Sequence, residues 1–268
     1  ETKVICMYLE GVSNGDAFFS AINKAATVKP VIIMKGGLSN AGSRAAASHT
    51  ASMGGQRAIW EAVLRQCNVI QVENLEAMSD AALAFSTLPP RNYKACTIVG
   101  GGGALGIAAA DAAESLGISV PPLRADLQDE IMTFLPKPGS SAINPIDVAN
   151  PFFAPELIGK AMHRAAEDKQ VDFHIVFQFL SHYKVLKLMM GAEALEDVIP
   201  YRQLVQACIE AVHVGKKPVV LIMANLKQEE DAMDIEQIVR KTRRMFVDAG
   251  IPVYDDVKNA LRAVASVS

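Results

Sequence analysis

The sequence predicts an α/β protein built from two open, doubly wound sheets of parallel strands. Short β-rich runs alternate with amphipathic helical patterns along the whole chain. The alternation breaks at 88–92 and then begins again. The length of 268 residues, half of them hydrophobic, leaves room for two sizeable cores.

In the first half, 3–9 (KVICMYL), 30–34 (PVIIM) and 69–72 (VIQV) read as buried strands. Each is too short for an independent helix and rich in β-branched residues. Between them, 16–26 and 55–66 place apolar residues at spacings of three and four, the mark of an amphipathic helix. Strand, helix, strand, helix implies parallel βαβ units with right-handed crossovers. Leu88-Pro89-Pro90-Arg91-Asn92 interrupts the pattern and reads as a linker, giving domains 1–88 and 93–268. In the second half strands are expected at 95–99, 118–120, 173–179, 218–223 and 253–254. Helices are expected at 104–116, 156–167, 201–212, 236–248 and 256–264.

Composition narrows the function. With 26 basic against 29 acidic side chains, the formal charge is −3, which gives no electrostatic case for nucleic acid. Cys6, Cys67, Cys96 and Cys208 show no CxxC spacing and read as reduced thiols, not as a disulfide framework or zinc site. No apolar run approaches the ~20 residues that span a bilayer, and the start lacks a signal-peptide pattern. A cytoplasmic protein without a membrane partner is expected.

Ligands on open α/β sheets collect outside the carboxyl ends of the strands, so the loops after strands matter most. After the first strand comes Glu10-Gly11; after the second, Gly36-Gly37 and a small-residue stretch ending Ser48-His49-Thr50-Ala51-Ser52-Met53-Gly54-Gly55. The second half opens with Gly100-Gly101-Gly102-Gly103-Ala104-Leu105-Gly106. Glycine lets backbone N–H groups approach a phosphate at a helix N-terminus, and a tight strand-to-helix turn also wants glycine. Both readings stay open. Residues 101–106 fit GxGxxG, but the next strand ends Val120-Pro121-Pro122-Leu123 without the carboxylate a dinucleotide site needs. A nicotinamide site is therefore disfavoured.

His49 lies in a stretch of Ala, Ser, Thr and Gly, read as a loop just before a helix. A lone histidine is more often structural or merely exposed. Its place beside a glycine-rich helix start and the post-strand Glu10 favours catalysis: imidazole can act as a nucleophile, and a carboxylate on one ring nitrogen fixes its tautomer. His163 and His213, in amphipathic helices, and His174, in an apolar strand, read as structural. His182 follows that strand and stays a candidate ligand-binding residue.

Tyr8-Leu9-Glu10-Gly11, Lys29 to Gly37, and Ser48 to Gly55 together resemble the nucleoside-diphosphate-forming acyl-CoA synthetases, relatives of succinyl-CoA synthetase. The glycine-rich turn and Asn144-Pro145-Ile146-Asp147-Val148 resemble the family's second-half motifs, so the likeness runs the length of the chain. Ala51 stands where the family usually has glycine, and Gly101 where it often has asparagine.

The resemblance implies two flavodoxin-like CoA-ligase domains and the cycle acyl-CoA + NDP + phosphate ⇌ carboxylate + CoA + NTP, through an acyl phosphate and a phosphohistidine. It makes His49 the phosphorylated nucleophile and Glu10 the carboxylate that orients it. Ser48, Thr50, Gly54, Gly55, Gly101, Gly102 and Gly103 would bind phosphate, and Asn144 and Asp147 would contact substrate or a neighbouring domain. Coenzyme A, ATP or ADP with Mg²⁺, and phosphate are the implied ligands. The CoA-binding Rossmann and ATP-grasp domains are expected on another part of an oligomeric assembly, the chain being a subunit or a fragment. The alternative is a non-catalytic acyl-CoA-sensing or scaffold module.

Overall fold

The computed structural model describes residues 2–50, 56–149, 155–226 and 229–268, the side chains of 47–50 excepted. It divides into two compact units, Glu1–Ser86 and Thr87–Ser268. Each is α/β with parallel strands, the class expected from the alternation of patterns.

Among the described residues the first unit has three strands in sequential order, β1 (Ile5–Leu9), β2 (Val31–Lys35) and β3 (Ile70–Val72). Val31, Ile32 and Ile33 are fully buried, as a central strand requires. Helix α1 (Gly15–Ala26) starts where the Asn14 side chain accepts the Ala17 N–H at 2.9 Å. Ile22 from α1 and Leu64 and Cys67 from the segment of α3 (Arg57–Gln66) close a small core over Val31 and Ile33. Between β2 and α3 runs α2 (Asn40–Thr50), and α4 (Leu75–Thr87) follows β3.

Among the described residues the second unit has five strands: β4 (Cys96–Gly100), β5 (Ile146–Asp147), β6 (Phe173–Phe177), β7 (Val219–Ile222) and β8 (Val253–Tyr254). Their order, β5-β4-β6-β7-β8, reverses beside the first strand, so a ligand crevice opens at the carboxyl ends of β4 and β6. One core joins Val99, Val176 and Leu221 to α7 (Pro155–Ala165), α9 (Tyr201–Gly215) and α10 (Met233–Asp248). Helices α5 (Gly103–Ser115) and α11 (Val257–Val267) pack together against the sheet, with Ala109, Ala113, Leu261 and Val264 buried.

Three expectations change. Residues 118–120 form no strand; Ser119 makes an isolated parallel bridge to Ala95, because three residues ending in Val120-Pro121-Pro122 cannot extend a ladder past the first proline. The position beside β4 is completed by β5, further along the chain. His49 stands in the last turn of α2, not in a loop: alanine-rich 45–47 propagates the helix to Thr50. Helices α4, α6 (Ala125–Met132) and α8 (Tyr183–Met190) were not anticipated.

Candidate functional site

In the first unit the site begins where β1 and β2 end. Leu9 pairs with Lys35, and the next residue on each strand, Glu10 and Gly36, continues side by side, the Gly36 N–H donating to the Leu9 carbonyl at 2.9 Å. Lys35 is 6% exposed; its ammonium donates to the Glu10 carbonyl at 2.7 Å and to the Gly36 carbonyl, and lies 4.9 Å from the Trp60 ring centroid. Burial pushes the Lys35 pKa down, and the Glu10 carboxylate partly offsets this. The lysine thus ties two strand ends together from below. Above them the Tyr8 hydroxyl donates to Glu10 Oε1 at 3.0 Å.

Gly37, at φ +73°, turns the chain towards α2, where the Ser39 hydroxyl accepts the Gly42 N–H at 3.1 Å and satisfies a first-turn donor. A Cβ on Gly42 would come within 3.3 Å of the Gly37 Cα, so only a small residue seats the helix this close to the turn. The helix then carries Ser48, His49 and Thr50, whose side chains, with Gly54 and Gly55, lie outside the described residues.

In the second unit Gly100 ends β4 against Phe177 of β6; a Cβ there would meet the Phe177 Cβ at 3.1 Å. Gly102, at φ +118°, is the N-cap of α5, a backbone conformation that residues with a side chain rarely adopt. Asp147, at the end of β5, accepts from the Gly102 N–H at 3.3 Å and the Ala149 N–H at 2.8 Å. Its other oxygen stands 3.4 Å from where a Gly103 Cβ would be. Gly101, Gly103, Leu105, Pro145, Asp147 and Phe177 line a mostly apolar cavity of about 170 Å³ at this strand end.

Asn144 is buried, and its amide serves the sheet. Its Oδ1 accepts the Ile98 N–H at 3.0 Å, and its Nδ2 donates to the carbonyls of Cys96 at 3.0 Å and Pro121 at 2.8 Å. The side chain thereby fills the break in the ladder between the Ser119 bridge and β5. His182 is exposed in a short 3₁₀ turn at the start of α8. His174 is fully buried, its Nδ1 2.5 Å from the Thr97 hydroxyl oxygen and its Nε2 without a partner among the described residues. Burial, with the nearby Lys217 ammonium, pushes its pKa down to about 3.

The structure thus joins Glu10 to Tyr8 and Lys35 in one unit, and Gly101–Gly103 to Asp147 in the other. Tyr8 and Lys35 were missed as site residues. The signal for Tyr8 was its two-residue spacing from Glu10, which puts both on one face of an extended chain. Lys35 follows directly on the apolar run 30–34, and no local pattern marks a lysine there as buried.

Residues 1–85 match the family model of the succinyl-CoA ligase like flavodoxin domain. Over nearly its whole length the chain is also similar to curated ADP-forming acetate–CoA ligases. It is 30% identical over 264 residues to acetate–CoA ligase [ADP-forming] I of Archaeoglobus fulgidus, covering 98% of this chain and 33% of that protein. It is 29% identical over 259 residues to the alpha subunit of acetate–CoA ligase [ADP-forming] II of Pyrococcus furiosus, covering 95% of this chain and 50% of the subunit. The fold matches acetyl-coenzyme A synthetase 1 of Ca. Korarchaeum cryptofilum, solved with phosphate and ADP, at a TM-score of 0.77 and 24% identity, over 99% of this chain and 52% of that one. The chain therefore spans a third of the length of the Archaeoglobus ligase and half that of the Pyrococcus subunit.

Proposed function

We propose that this chain is the phosphohistidine-bearing part of an ADP-forming acyl-CoA ligase working in the cytoplasm. The observation that carries the reading is the match along nearly the whole chain to a segment of the ADP-forming acetate–CoA ligases. Phosphate displaces coenzyme A from the acyl thioester, giving acyl phosphate and free thiol. A ring nitrogen of His49 then attacks phosphorus, the bond to the acyl oxygen breaks, and the carboxylate leaves. Transfer of the phosphoryl group from His49 to ADP restores the imidazole and yields ATP.

Glu10 accepts the second ring N–H, which fixes the tautomer and stabilises the positive charge that grows on the ring. Its place at the mouth of β1, braced through its carbonyl by Lys35, supports that role. The glycine turn at 101–103 presents backbone N–H groups suited to a phosphate, as phosphoryl transfer needs positioning and charge stabilisation more than covalent help. Among the described residues no group of three or more His, Cys, Asp or Glu side chains could hold a metal ion. On this reading Mg²⁺ travels with the nucleotide on the ATP-grasp domain, and coenzyme A sits on its own Rossmann domain.

The chain, assembled with CoA-binding and ATP-grasp partners, is expected to form ATP from acetyl-CoA, ADP and phosphate. His49→Asn should lower the rate at least about a thousandfold. ATP formation undiminished in His49→Asn would overturn the reading.

A further inference from the structure

We propose that Tyr8 is a positioning residue for Glu10, a role that rests on the reading of Glu10 as the carboxylate that orients His49. The two residues stand on one face of the extended chain at the end of edge strand β1, and the phenol donates to Oε1 at 3.0 Å. The ring is 53% exposed, so core packing alone does not hold it. Gly36 provides its seat: a Cβ there would come within 2.6 Å of the hydroxyl oxygen and 3.1 Å of the ring. The Lys35 ammonium, bonded to the carbonyls of both Glu10 and Gly36, fixes the seat relative to the carboxylate's own backbone.

A glutamate side chain turns about three bonds and a tyrosine ring about two. A hydrogen bond from the stiffer group selects one direction for the looser one. The same bond raises the phenol's pKa, because the carboxylate accepts the proton that ionisation would remove. Positioning of this kind contributes rate in phosphoryl transfer without Tyr8 touching the phosphorus.

The test is nitrogen-15 NMR of the His49 ring in the full chain, about two pH units above the ordinary imidazole pKa. His49→Asn assigns the signals. The wild type is expected to hold one dominant tautomer, and Glu10→Gln to even the two. Tyr8→Phe should move the ratio in the same direction by about threefold, the worth of one ordinary hydrogen bond. Gly36→Ala, which displaces the ring and keeps the hydroxyl, should do the same. A companion absorbance titration should show the Tyr8 phenol falling towards its ordinary value in Glu10→Gln.

If Glu10→Gln shifts the tautomers while Tyr8→Phe and Gly36→Ala leave them at the wild-type ratio, the Tyr8 role is overturned and the Glu10 role stands. If none of the three variants shifts them, the Glu10 role fails and the Tyr8 role with it. A Tyr8 titration unmoved by Glu10→Gln would overturn the bond itself.

Discussion

At the scale of single residues, His174 shows how a polar group is held where the sheet has no water to offer. Burial favours the neutral ring there, and its Nε2 meets no partner among the described residues. The unfolded chain, with an ordinary imidazole pKa of about 6.5, binds a proton below that pH. The folded chain does not until pH falls to about 3. Stability therefore falls as pH drops through the interval between these values, by roughly 2–3 kcal/mol at about pH 4.5. Urea unfolding at several pH values should show this slope, and His174→Gln should flatten it. An equal slope in the variant would contradict the assignment. The sequence marked His174 as a buried strand residue, and that much was legible. The Thr97 contact depends on parallel register across 77 positions, which no local pattern carries.

At the scale of elements, the strand series was readable because apolar, β-branched runs are conspicuous, and seven of the eight predicted runs overlap an observed strand. Helix α2 was hidden for the opposite reason. Asn40 to Thr50 contains no large apolar residue, so there is no stripe to detect, and its helicity rests on alanine propensity and its seat on Gly37. Strand β5 is two residues long and below the reach of any periodicity. Asn144 to Asp147, which the resemblance marks as a substrate or domain-interface segment, is the patch that completes the edge of the sheet. Asn144→Ala would leave the Ile98 N–H and two carbonyls without their partner. It should destabilise the protein by about 2–4 kcal/mol, read as a lower urea midpoint with little change in slope. A midpoint within about 0.5 kcal/mol of wild type would show that the ladder closes without it.

At the scale of the whole molecule, the chain is two α/β units whose strand ends each present a glycine turn beside a carboxylate, Gly36-Gly37 with Glu10 and Gly101–Gly103 with Asp147. Of the motifs that carry the family resemblance, Glu10, Gly36-Gly37, Gly101–Gly103 and Asp147 fall at those ends, as strand–loop order alone suggested, whereas 48–50 end helix α2 and 51–55 lie outside the described residues. The bracing by Lys35 and Tyr8 was not, because it depends on where side chains meet across strands. Among the described residues no helix is long and apolar enough to cross a membrane. The central claim is that His49 carries a phosphoryl group in turnover. Its most direct test is tandem mass spectrometry of the chain with its CoA-binding and ATP-grasp partners, after incubation with ATP and Mg²⁺ and work-up at alkaline pH. The account predicts an acid-labile phosphate on His49 that disappears on adding ADP and is absent from His49→Asn. A fully unmodified His49 under these conditions, in an assembly that still forms acetyl-CoA, would contradict it.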